Sequence, residues 1–141
     1  MSLVMTAAER EAFLDERRVG VIAATRDGRA PLAVPVWYRY ADGEVHVWIE
    51  RESVKYGVLR AAGRFTLVVQ SERLPYKYVS VEGAVVAADV PPTRAEAVAI
   101  AARYLAPDDA EGYVDSALGE GSVLVRMRPE RWLSSDQGKT D

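Results

Sequence analysis

The sequence contains no cysteine. Disulfides, thiolate nucleophiles and thiolate metal sites are therefore excluded. His46 is the single histidine, which excludes a two-histidine mechanism and histidine-rich metal sites. No apolar run approaches the roughly 20 residues of a membrane-spanning helix. The first residues lack a charged stretch followed by an apolar one, as a secretion signal would have. A basic balance is also missing: the net charge is -3, without the footprint of nucleic-acid binding. Neither a phosphate loop nor the glycine fingerprint of dinucleotide binding is present. These absences leave a soluble, cytoplasmic protein acting on small molecules as the expectation.

What is present is an ordinary globular balance, 49% hydrophobic and 28% charged over 141 residues. That length favours one domain, 1–141, and buries roughly two-thirds of the unfolded surface. Thr6 and Glu9 have capping-box spacing and open a helix to about Arg17, with Ala8, Ala12 and Phe13 on one stripe. Val19 to Thr25 reads as a buried strand. Asp27-Gly28 and Asp42-Gly43 are tight-turn signals. They separate strands over Ala30 to Tyr40 and Glu44 to Ile49. In the latter, Val45, Val47 and Ile49 alternate with Glu44, His46 and Trp48, which places His46 on an exposed face. Ser53 caps a short helix to Arg60. Strands follow over Phe65 to Gln70 and Tyr78 to Asp89, with a bend or bulge at Gly83. Thr93 and Glu96 repeat the capping box and open a helix to about Tyr104, stopped by Pro107. A helix over Asp108 to Leu118 and a strand over Ser122 to Arg128 complete the pattern, and 134–141 reads as a flexible tail. Six short strands, early two-residue turns and helical inserts predict a mainly β (α+β) fold, a small antiparallel barrel with short peripheral helices.

Three segments hold candidate chemistry. In Arg51-Glu52-Ser53-Val54-Lys55, two cations and a hydroxyl surround a helix start, which suits a phosphate. The same spacing also serves a solvated turn in which Ser53 merely caps. In Val34-Pro35-Val36-Trp37-Tyr38, proline removes a ladder donor and marks an edge or bulge where a ligand can meet backbone groups. Trp37 and Tyr38 point to opposite faces, one of them toward the core. Tyr76-Lys77-Tyr78 puts a cation between aromatics, fit for a ring-stacking wall or for a subunit interface. His46 has no triad partner and reads as a surface residue. The glutamates specify no acid–base pair.

In order and spacing, these segments resemble the pyridoxamine 5′-phosphate oxidase-like family, in its flavin- and deazaflavin-dependent reductase branch. The matching stretches run from Phe13-Leu14 and Arg18-Val19-Gly20-Val21-Ile22-Ala23 through Asp27-Gly28-Arg29, Val34-Pro35-Val36-Trp37-Tyr38, Ser53-Val54-Lys55 and Pro75-Tyr76-Lys77-Tyr78-Val79. Val81-Glu82-Gly83 and Pro129-Glu130-Arg131-Trp132 complete them. The resemblance implies a six-stranded antiparallel split β-barrel and a homodimer with cofactors at its interface. It implies deazaflavin coenzyme F-420 or FMN as cofactor. Val34, Pro35, Val36 and Trp37 would lie along the ring, Ser53 and Lys55 would bind the phosphate, and Lys77 and Tyr78 would approach from the barrel wall or across the dimer. Arg51 matches a position that is often polar. Two departures stand out. Ile49-Glu50 replaces a strand end where threonine is common, and Tyr56-Gly57-Val58 replaces Arg-Asn-Leu. The implied activity is hydride transfer from the reduced cofactor to a small unsaturated substrate, not true pyridoxamine phosphate oxidation. The alternative is a non-catalytic flavin, deazaflavin or haem carrier.

Overall fold

The computed structural model describes residues 2–139. The start of the chain follows the capping-box expectation: Thr6 accepts from the Glu9 N–H, and the Glu9 carboxylate accepts from the Thr6 N–H. The resulting helix α1 spans Ala7–Asp15. Its buried face is Phe13 and Leu14, while Ala8 and Ala12 are exposed, so the expected alanine stripe is corrected. Small methyl groups lose the core face to the larger side chains, whose burial gains more.

Strands β1 (Gly20–Arg26) and β2 (Arg29–Val36) form a hairpin whose turn holds Gly28 at φ 70°. Strand β1 alternates between faces and is not buried throughout, because only one side of the sheet meets the core. The single strand expected over Ala30 to Tyr40 is two. After β2 the chain leaves its pairing at Trp37 and Tyr38, then forms β3 (Arg39–Ala41) against β4 (Glu44–Glu50). The turn between β3 and β4 places Asp42 at φ 54° and Gly43 at φ 73°, the twist that suits a two-residue hairpin. Helix α2 (Val54–Ala62), β5 (Arg64–Ser71) and β6 (Lys77–Ala87) follow. Helices α3 (Arg94–Ala101) and α4 (Pro107–Ala117) then lead to β7 (Ser122–Asp136). Pro107 does not stop the preceding helix; it opens α4 from the first position, where its missing N–H costs nothing.

All strand pairs are antiparallel, in one seven-stranded sheet of order β2-β1-β5-β6-β7-β4-β3. The expected six-stranded barrel is thus corrected to a seven-stranded sheet whose hydrogen bonding stays open between β2 and β3. Two residues nevertheless join those edges, so the sheet must curl strongly to bring them near each other. Inside the curl lie Ile22, Leu67, Val81, Val125 and Val47, together with Leu14 of α1 and Leu59 of α2. Gly83 sits where β6 and β7 shift register, Glu82 facing Arg131 and Gly83 facing Pro129. A methyl group on Gly83 would lie 1.8 Å from the Arg128 carbonyl oxygen. The backbones approach so closely that only glycine fits.

Strand β7 runs well past the expected end at Arg128. Ser134 is buried and accepts from the Met5 N–H, and Asp136 faces Lys77 in the ladder. Residues 134–136 are therefore strand, not tail, because β6 and the chain before α1 supply partners that local sequence cannot reveal. The remainder of the expected tail is a short 3₁₀ turn, Gln137–Lys139, with 140–141 outside the described residues.

A second core lies on the outer face of β4. Ala97 and Ala101 of α3 meet Ala110 and Val114 of α4, and Trp48 packs against them. His46, on the same strand, is 5% exposed rather than on a solvent face, and its ring lies 3.2 Å from the Glu44 carboxylate. Alternation correctly put His46 opposite Val45 and Val47. It could not report that the far face is covered as well. No described helix is long and apolar enough to cross a membrane.

Candidate functional site

The candidate site begins where β2 ends. Both prolines of this edge strand, Pro31 and Pro35, lie where no further strand needs their missing donors. Past Val36 the chain turns, and Trp37 and Tyr38 part to opposite sides. Tyr38 enters the core completely. Its hydroxyl donates to the Leu14 carbonyl at 2.7 Å, and burial pushes its phenol well above the usual range, so the donor persists at all ordinary pH. Trp37 stays half-buried and stacks on Tyr104, with centroids 4.8 Å apart and planes 10° apart.

Beside Trp37 opens a cleft of about 380 Å³. One wall is Pro35, Val36 and Trp37; the opposite side is Trp48, Ile49 and Glu50 at the end of β4. Ile100 of α3 and Tyr113 of α4 roof it, and Val19 and Lys55 complete the lining. Tyr113 is the hinge of the aromatic wall. Its ring lies 5.5 Å from Trp37 and meets Trp48 edge-on at 5.7 Å. Such flat apolar walls with a few polar groups are what a planar organic ligand requires.

Lys55 supplies the cation. It sits in the first turn of α2, half-buried. The other lysines are engaged, Lys77 with Asp136 at 3.9 Å and Lys139 with Glu9 at 2.7 Å. Among the described residues Lys55 has no carboxylate partner within 4.0 Å. The helix start adds positive backbone character beside it. Ser53 is the cap, as its spacing predicts. It accepts from the Tyr56 N–H at 3.3 Å and donates to the Glu50 carbonyl at 2.6 Å. Its single proton is thus already committed.

The sequence-derived residues fall into two groups. Pro35, Val36, Trp37 and Lys55 meet in the cleft, with Val34 half-buried on β2 beside them. Arg51 does not join. Its guanidinium donates to the Asp89 carbonyl at 3.2 Å and lies 5.7 Å over the Tyr56 ring. Lys77 and Tyr78 are also elsewhere. They begin β6 opposite Asp136 and Ser135, and Lys77 borders a small hollow with Met5, Glu9 and Phe13. Within one copy of the chain they do not line the cleft. Sequence reasoning missed Tyr113, Trp48 and Ile100 as lining residues. Trp48 had a readable signal in its alternation, but nothing local announced which helix would cover it.

The lining contains a carboxylate, an ammonium and a phenol, but no nucleophile–base pair. Among the described residues no cluster of metal-ligating side chains exists. Flat apolar walls beside an ammonium can accommodate a planar molecule with an anionic end.

No protein-family model matches the chain, and no curated protein matches it. Solved structures do match. A conserved hypothetical protein from Mycobacterium tuberculosis superposes with a TM-score of 0.80 at 26% identity, covering 96% of this chain and 88% of that one. An F-420 reductase matches with a TM-score of 0.63 at 22% identity over 87% of this chain and 94% of its own. A FAD-binding protein from Mesorhizobium loti matches with a TM-score of 0.64 at 22% identity, covering 92% and 93%. The protein therefore shares the fold of these solved structures.

Proposed function

We propose that the protein is an oxidoreductase that uses a flavin-type cofactor, FMN or the deazaflavin coenzyme F-420. The observation that carries this reading is the convergence on one cleft of the Pro35–Trp37 strand end, the Trp37–Tyr113–Trp48 wall and the uncommitted ammonium of Lys55. The solved structures of this fold include an F-420 reductase and a FAD-binding protein, which agrees with a flavin-type ligand.

In this reading a reduced cofactor supplies the hydride for a small unsaturated substrate. The protein's own residues do the rest. The strand end at Pro35 and Val36 offers backbone groups to the ring edge. Trp37 and Tyr113 line the ring as one continuous wall and keep water from that side. Lys55 holds the phosphate at the start of α2. Lys77 and Tyr78, remote from the cleft of their own copy, serve the cofactor bound to a second copy in a homodimer. The exposed Val21 and Leu133 of the outer sheet face suit such a contact.

The test is a binding panel followed by turnover. FMN, FAD, coenzyme F-420 and haem are titrated separately into the protein and followed by fluorescence quenching or absorbance shifts. The bound form is then reduced and offered a panel of enones. Cofactor binding with substrate-dependent reoxidation supports the oxidoreductase. Binding without turnover assigns a carrier, and binding of haem alone rejects the flavin reading.

A further inference from the structure

The phosphate end of the cleft holds a second charge that the proposed function does not use. Glu50 lines the same cleft as Lys55. Glu50 is exposed, and its carboxylate lies 3.4 Å from the Ser122 hydroxyl, which reaches the Ala117 carbonyl at the same distance. Ser122 is itself completely buried and is fixed by the Gly119 N–H at 3.0 Å. The two other groups that could favour an anion are turned away, Arg51 toward Asp89 and the Ser53 proton toward the Glu50 backbone. The cleft end therefore carries one positive and one negative side chain.

We infer that Glu50 makes this site selective for a singly charged phosphodiester tail over a doubly charged phosphate monoester. This rests on the flavin-type reading of the same cleft. The physical reason is a balance of two terms. Attraction to Lys55 and repulsion from Glu50 both scale with the charge on the ligand and offset each other. The cost of withdrawing that charge from water does not cancel, and it rises with the square of the charge. A monoester such as FMN carries close to two negative charges at pH 7. A diester, such as the phosphate nearest the ring of coenzyme F-420, carries one. Glu50 thus distinguishes cofactors by the esterification of their phosphate, with no contact to the ring.

The experiment compares riboflavin, FMN and the methyl ester of FMN, each titrated by fluorescence quenching at fixed ionic strength. Coenzyme F-420 is titrated alongside. The wild-type protein binds the methyl ester at least about five-fold more tightly than FMN. In Glu50→Gln that preference falls to less than about two-fold, because FMN gains more than the ester. The ratio within each variant is self-referenced, so a general loss of stability does not imitate the result. Equal wild-type affinity for FMN and its ester, or an undiminished preference in Glu50→Gln, overturns the inference while leaving the flavin-type reading intact. Failure of all of these ligands to bind the wild-type protein overturns both.

Discussion

Tyr104 touches the candidate site through its ring and the core through its hydroxyl. The ring stacks on Trp37 at 4.8 Å, while the hydroxyl donates to the Arg18 carbonyl at 2.8 Å and accepts from the Tyr38 N–H at 3.2 Å. One residue thus links the turn after α3 to the end of β2, where the cleft begins. The neighbouring Arg103 reinforces the link, donating to the carbonyls of Leu14, Asp15 and Glu16 at the C-terminal end of α1.

Tyr104→Phe separates these roles. The ring and its stacking remain, but the buried Tyr38 N–H loses its acceptor. The expected cost is about 1–3 kcal/mol, the range for an unsatisfied buried donor, read as a lower urea midpoint with an unchanged slope. Ligand affinity in the cleft stays within two-fold or so of wild type at saturating stability, since Trp37 keeps its support.

Gly83 and Gly57 make a matched pair. A Cβ on Gly83 collides with the Arg128 carbonyl oxygen, whereas one on Gly57 meets nothing within 4 Å. Gly83→Ala forces β6 and β7 apart and costs about 3 kcal/mol or more. Gly57→Ala, on an exposed helical position of α2, stabilises by about 1 kcal/mol. Chemical denaturation of the two variants checks both signs.

The first turn of α1 gives a pH prediction. Hydrogen bonds from Lys139 first, then from Thr6, hold the Glu9 carboxyl down at about 2, below its ordinary 4.5. A depressed pKa in the folded state means that stability is present above the unfolded value and is lost as pH falls through the folded one. Glu9→Gln therefore lowers the melting temperature at pH 7. The gap to wild type closes as pH falls from about 4.5 toward 2. Added salt narrows it as well, because the pair is exposed to solvent.

How much of this was legible in the sequence depends on the range of the interaction. Local chemistry read true: the capping boxes at Thr6 and Thr93, the Asp-Gly turns, the Ser53 cap and the bulge at Gly83 all use residues within a few positions, or a residue with few permitted roles. Partner-dependent features did not. His46 lies on the expected side of β4, but it is buried there, and Trp48 on the same side packs against α3 and α4, some fifty residues later. Ser134 to Asp136 carries no strand pattern of its own and is held by β6 and Leu3. For the site, Pro35 to Trp37 and Lys55 were readable as edge-strand and helix-start residues. Tyr113 was not, because its place opposite Trp37 is set by how α4 packs on Trp48. Arg51 looked equivalent to Lys55 by spacing, yet the Asp89 carbonyl captures it.

The two ends of the cleft can be separated by two substitutions and two ligands. Tyr113 is 42% exposed, so Tyr113→Ala removes wall without opening the core. A ring ligand loses about 0.5–1.5 kcal/mol of aromatic contact, and the loss is the same for riboflavin and FMN because it arises at the ring. Lys55→Ala acts at the other end. It weakens phosphorylated ligands by about 1.5–3 kcal/mol, the value of a charge-assisted hydrogen bond, and leaves riboflavin unchanged. Fluorescence titration of both ligands against both variants gives four affinities. If Lys55→Ala weakens riboflavin as much as FMN, the phosphate does not lie at the head of α2. If Tyr113→Ala weakens only FMN, the ring does not lie against Trp37.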